Sequence, residues 1–252
     1  MTNSISQKNI VLIWDLPVRA IHWLLVISFI GAYLTAEEDG LRLLHVTLGY
    51  TLAALIFIRI LWGFIGSKHA RFTSFIKGPE ATWKYLMSLL KAKPQQHTGH
   101  NPLGALAILG LMLLGLMVSF TGWCALHEVG GEWNEELHEA IAEGMLVLVA
   151  IHVLSVIAAS FLHHENLVKA MVNGFKTGKP SEQITNPHPS IAFLLVLAVI
   201  GFWGYQYTHA VDGGIDGKAI ILNHNAKDTE DEEDEETYAT VSNVCLKFNF
   251  QC

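Results

Sequence analysis

Five segments of this chain, at about 16–37, 41–65, 103–123, 136–162 and 190–208, are apolar nearly throughout. Crossing a hydrocarbon core of roughly 30 Å takes about 20 helical residues, so each segment predicts a membrane-spanning helix. Polar punctuation separates them. Pro17 stands near the start of the first and Glu37-Glu38-Asp39-Gly40 after it, Pro102 precedes the third, and Pro187 and Pro189 precede the fifth. The expected class is therefore all-α and integral to a membrane. The first span resembles a signal peptide in its charge and length, but no clear A-x-A site follows it, so it reads as a retained anchor.

The polar positions also orient the chain. Between Gly66 and Asn101 lie Lys68, Arg71, Lys77, Lys84, Lys91 and Lys93 against one acid, Glu80, whereas Glu128, Glu132, Glu135 and Glu136 follow the third span without a base. The positive-inside rule puts the first loop in the cytoplasm and the second outside, and Lys169, Lys176 and Lys179 after the fourth span agree. The N-terminus is then expected in the cytoplasm, and five spans carry the C-terminal tail outside. Within the basic loop, residues 81–91 mix apolar and basic positions at helical spacing, as a short interfacial helix would.

Composition supports a membrane protein: 51% of the 252 residues are apolar and 15% charged, with mean hydropathy +0.36. The net charge of −7 is concentrated in residues 209–252, which hold ten acids and three bases, while the rest of the chain is balanced. A basic nucleic-acid-binding surface is excluded. Three cysteines provide no zinc pattern and no C-x-x-C-H for covalent haem attachment. Cys124 reads as a buried thiol; Cys245 and Cys252, outside the membrane on this topology, are placed to form a small disulfide loop.

Histidine changes the picture. His138 and His152 bracket an apolar run; fourteen helical residues rise about 21 Å and return to within about 40° of the same face. His22 lies near the cytoplasmic start of the first span and His45 near the external start of the second, so depths match as His22 with His152 and His45 with His138. Two imidazoles facing across a bundle interior are what an axially saturated haem iron requires, and two such pairs stack two haems across the membrane. Arg59, fourteen residues after His45, falls at the inner layer, where haem propionates are its expected partners; Arg19, one turn before His22, suits the same layer. Gly49 and Gly31 would admit the macrocycle close to the backbone. Glu143, about 140° around the helix from His138, faces away from the iron, with a proton relay and a merely interfacial carboxyl as its two readings.

These residues resemble the prokaryotic cytochrome b561 family and are similar to the b subunits of nickel-iron hydrogenases and formate dehydrogenases. The resemblance rests on Trp14-Asp-Leu-Pro-Val-Arg-Ala-Ile-His22-Trp23, Leu44-His45 with Gly49, Arg59 to Gly63, Gly99 to Gly104, the His138 to His152 helix, and His164 to Lys169 with Met171 and Gly174. It covers about residues 10–180. It implies a four-helix transmembrane bundle over 1–185 holding two b haems, ligated by His22 with His152 and by His45 with His138. Residues 186–208 then add a fifth transmembrane helix, and 209–252 an acidic extracytoplasmic tail.

The function implied is electron transfer between the quinone pool of a bacterial inner membrane and a periplasmic or membrane-attached partner, a c-type cytochrome or a metalloenzyme, within a respiratory chain. The run Thr229 to Glu236 is suited to steering a basic partner, or is simply a solvated tail. Two other classes compete: a superoxide or ferric reductase using the outer haem, and a haem-free transporter or anchor subunit. A reduced-minus-oxidised spectrum separates the last from the others.

Overall fold

The computed structural model describes residues 9–76, 78, 80, 83, 84, 87 and 102–211. The acidic tail from 212 onward, Cys245 and Cys252, and most of the expected interfacial helix at 81–91 lie outside the described residues.

Five helices are long and apolar enough to cross a membrane: α1 (Leu16–Leu34), α2 (Arg42–Ile65), α4 (Pro102–Leu126), α5 (Trp133–His163) and α7 (Pro189–Val211). Short elements fill the connections: strand β1 (Asn9–Leu12), a single turn α3 (Phe72–Phe75), α6 (Leu167–Asn173) and strand β2 (Phe175–Gly178). The spans fall where the apolar runs predict them, with ends moved by a few residues.

Local chemistry sets the helix ends. Asp15 is the N-cap of α1: its Oδ1 accepts the Val18 amide at 2.8 Å, and Pro17 occupies the first turn, where an absent N–H costs nothing. Asn166 caps α6 in the same way through the Lys169 amide at 2.7 Å, and Gly174 ends it at φ 88°, a conformation that glycine adopts without strain. His164 closes α5 in the left-handed region at φ 51°.

The helices pack in the order α5, α4, α2, α1, α7, with α7 also touching α2. Leu52 and Ile56 of α2 interlock with Met112 and Val118 of α4 and with Ile141 and Met145 of α5. Ile21 of α1 and Leu55 of α2 pack on Leu195 and Val199 of α7. Trp203 of α7 donates to the Thr51 hydroxyl of α2 at 2.9 Å, a polar tie inside the apolar layer. Neither α1 with α5 nor α2 with α5 is among the closely packed pairs of the described residues.

One end of the bundle carries a collar that hydropathy does not predict. β1 pairs antiparallel with β2, Asn9 opposite Gly178 and Leu12 opposite Phe175. The Gly174 carbonyl accepts the amides of Ile13 and Trp14, and the Pro187 carbonyl accepts that of Leu16. Val11, Ile13, Trp14 and Val18 bury themselves with Trp62, Ala70 and Ala170. The start of α1 is thus fixed to the segment that follows α5. Lys176 in β2 is buried and reaches Glu165 at 3.6 Å, while Glu165 Oε1 accepts the Thr177 amide at 2.6 Å. Burial lowers the Lys176 pKa from its ordinary value, and the facing carboxylate opposes that shift without cancelling it.

At the opposite end α5 outruns the bilayer. Its 31 residues span about 46 Å against a core of roughly 30 Å, so the first turns stand clear of the apolar run 144–162. Glu135, Glu136 and Glu139 are exposed there.

Candidate functional site

His45 on α2 and His138 on α5 come together near that opposite end. Their ring centres are 6.1 Å apart and their planes 78° apart. Two imidazoles bonded to one metal from opposite sides, with bonds of about 2.0 Å and roughly 1.1 Å from ring centre to nitrogen, sit about 6.2 Å apart. The observed spacing fits that arrangement.

Both rings are fixed through Nδ1. His45 Nδ1 lies 2.8 Å from the Ala32 carbonyl of α1, and His138 Nδ1 lies 2.9 Å from the Val118 carbonyl of α4. Each Nδ1–H therefore donates to a carbonyl and leaves Nε2 with its lone pair free, the tautomer that a metal ligand needs. The α4 wall is shaped to His138: Thr121 Oγ1 is 3.3 Å from Nδ1, and a Cβ added at Gly122 would stand 2.8 Å from the ring carbon Cε1.

The second pair lies toward the collar. His22 and His152 are within electrostatic reach of each other, and His152 Nδ1 is buried with no hydrogen-bond partner among the described residues. Trp23 meets the His22 ring edge-on at 5.3 Å. Arg59 is buried at the collar end of α2. Its Nη2 donates to the Ala70 carbonyl at 3.2 Å, its guanidinium lies 5.7 Å from the centre of the Phe72 ring, and its Nη1 is buried without an acceptor. Asp15 is fully buried nearby and accepts Trp62 Nε1 at 3.1 Å through Oδ2. A guanidinium N–H left over in an apolar wall is costly, and an anion supplied from within the bundle would satisfy it. Arg19 points elsewhere: Nη2 donates to the Val172 carbonyl, toward α6 and α7.

The donor set narrows the chemistry. Among the described residues no group of three or more His, Cys, Asp or Glu side chains converges as a metal cage. Paired imidazoles suit an iron whose other positions belong to a macrocycle. The residues present fit haem.

A family model described as prokaryotic cytochrome b561 matches residues 13–174. The chain belongs to the prokaryotic cytochrome b561 family. Membership makes it a membrane b-type cytochrome, an electron carrier of the class that holds haem b. Similar proteins include a "Probable Ni/Fe-hydrogenase B-type cytochrome subunit" of Rhodobacter capsulatus, 26% identical over 70% of this chain and 85% of that protein. A counterpart with the same description from Azotobacter chroococcum mcd 1 is 27% identical over 69% and 92%. A "Probable Ni/Fe-hydrogenase 1 B-type cytochrome subunit" of Escherichia coli (strain K12) is 22% identical over 66% and 91%. No solved structure matches the chain. The matched residues contain His22, His45, His138 and His152 and stop before α7.

One expectation changes. Gly31 does not open space for a macrocycle: a Cβ there would lie 2.6 Å from Leu48 Cδ1, so its small size admits α2 against α1. Gly49, by contrast, has open space around its Cβ position. Glu143 is exposed on α5 at the head of the apolar run, in keeping with a position turned away from His138. The supporting groups Val118 and Thr121, with Gly122, escape sequence reasoning because two act through backbone or through the lack of a side chain. The small-polar pair Thr121-Gly122 inside an otherwise bulky run was the one signal available.

Proposed function

We propose that this cytochrome b561 is a two-haem electron conduit between the quinone pool of a bacterial inner membrane and a periplasmic or membrane-attached redox partner, a c-type cytochrome or a metalloenzyme, in a respiratory chain. The observation that carries this is the His45 and His138 pair, spaced for a shared axial metal with both Nδ1 atoms held by backbone carbonyls. The relatives described as hydrogenase B-type cytochrome subunits support a metalloenzyme as the partner.

Each residue has a defined task in this reading. His45 and His138 hold one iron near the α4–α5 loop, and His22 and His152 hold the other near the collar. The carbonyls of Ala32 and Val118 accept from Nδ1 of the first two rings and hold them turned with Nε2 free. Arg59 offers its free Nη1 to a haem carboxylate at the collar layer. Haem b, when bound, would supply reversible one-electron chemistry, and the paired imidazoles are the residues that would hold its iron. The helical walls exclude water between layers about 21 Å apart along α5.

Charge supports an orientation with the collar in the cytoplasm. Lys68, Arg71, Lys169, Lys176 and Lys179 cluster at that end, whereas Glu37, Glu38, Glu128, Glu132, Glu135, Glu136 and Glu139 occupy the other. The test is a haem count on purified protein with a reduced-minus-oxidised spectrum. Wild type is expected to carry two b haems. Alanine at His45 or His138 should remove one of them, and alanine at His22 or His152 the other. Retention of both in any of the four variants would break the pairing.

A further inference from the structure

The outer surface between α1 and α7 is cut by a groove of about 420 Å³ at the collar end. Ala20 and Trp23 of α1 form one wall, and Ala192, Phe193 and Val196 of α7 the other. Arg19 is the one charged side chain lining it. We propose that this groove binds the ring of a membrane quinone, with the tail running out between the two spans into lipid.

Four observations converge on that occupant. The walls belong to two spanning helices and are apolar, so a lipid-soluble molecule arrives without leaving the bilayer. Arg19 has committed Nη2 to the Val172 carbonyl, and its side chain lines the groove as the one cation in an apolar wall. A quinone carbonyl oxygen is an uncharged acceptor that a guanidinium so placed can meet without an anion entering the bilayer. Trp23 is both a groove wall and the ring packed edge-on against His22, so a bound quinone is separated from a proposed iron ligand by a single indole. The volume lies within the roughly 300–1,000 Å³ range of small-molecule sites, enough for a substituted ring and the first part of its tail.

The groove also depends on α7, which lies outside the residues matched by the family model. The fifth span accordingly does more than anchor the chain: it builds half of a site. This inference rests on the quinone-linked function proposed above and is tested separately from it.

Full-length, haem-loaded protein in quinone-free phosphatidylcholine nanodiscs is titrated with a decyl-tailed quinone, and an azido derivative of the same probe locates the site by cross-linking. Wild type should bind saturably and label residues 16–23 and 189–196. Ala192→Trp and Val196→Phe, which fill the groove, should each abolish saturable binding. Arg19→Gln should weaken it by about tenfold or more. Leu194→Trp on the exposed face of α7 should bind as wild type does. Unchanged haem spectra in each variant certify the fold.

Wild-type binding that survives Ala192→Trp and Val196→Phe, or labels elsewhere, overturns the groove and leaves the quinone-linked function standing. Displacement of the probe by phosphatidylglycerol, but not by unlabelled quinone, overturns it in favour of a lipid site. Absence of saturable binding in wild type overturns both the groove and the quinone arm of the proposed function.

Discussion

Gly122 stands so close to His138 that a methyl group on its Cα would lie 2.8 Å from the imidazole Cε1 and 3.1 Å from Nδ1. Neither neighbour yields easily, because the ring is tied to the Val118 carbonyl. Gly122→Val is therefore expected to displace His138 and lose one haem of two, while Gly122→Ala should retain both and shift the midpoint potential of that haem alone. Spectroelectrochemical titration reads both outcomes, and an unshifted pair of potentials in Gly122→Ala would sink the argument.

Arg59 carries a buried positive charge toward the collar layer without an ion-pair partner within 4 Å among the described residues. Removing a cation beside an iron centre stabilises the oxidised state. Arg59→Met should lower the midpoint potential of the collar-side haem and leave the other within error; Arg59→Lys should recover part of the difference. Equal shifts in both potentials would place Arg59 outside that layer.

Asp15 joins two jobs in one carboxylate, capping α1 through the Val18 amide and receiving Trp62 Nε1. The cap is worth about 1 kcal/mol and a hydrogen bond to a charged acceptor about 1.5–3 kcal/mol. Asp15→Ala should lower the thermal midpoint of the detergent-solubilised protein clearly, and Asp15→Asn by less, since the amide oxygen still accepts one of the two bonds. A melt unchanged in Asp15→Ala would show that neither bond matters.

Lys176 gives a pH dependence whose sign follows from its environment. Burial lowers its pKa in the folded state, so between the folded value and the ordinary value of about 10.4 the unfolded chain binds more protons than the folded one. Its contribution makes stability rise with pH across that alkaline window. Lys176→Met should flatten this slope relative to wild type, measured as thermal midpoint against pH at constant ionic strength. A parallel pair of profiles would remove Lys176 from consideration.

Much of the architecture is readable in the sequence because a membrane imposes one dominant constraint, length of apolar run, and all five spans obey it. The approach of His45 to His138 was also legible, since depth follows from distance to a span end and facing follows from the 3.6-residue period. The collar was not. β1 and β2 are four residues each, lack strict alternation, and pair across more than 160 residues of chain, so neither announces a partner. The groups that turn the imidazoles were equally hidden, because the carbonyls of Ala32 and Val118 belong to the backbone and have no letter of their own. Arg19 shows the remaining limit: its spacing puts it one turn before His22, but spacing does not show that its guanidinium turns to the Val172 carbonyl.

The pairing of β1 with β2 also bears on biosynthesis. β1 leaves the ribosome before α1, but its partner strand is made only after four spans have been synthesised. Until residues 175–178 emerge, β1 has no partner strand, and the closing loop is long enough to carry a substantial entropic cost. Insertion and lateral assembly of the first four helices therefore precede the latching of the collar. A nascent chain arrested short of 175 would present β1 without its partner strand, its backbone donors and acceptors unpaired along that edge.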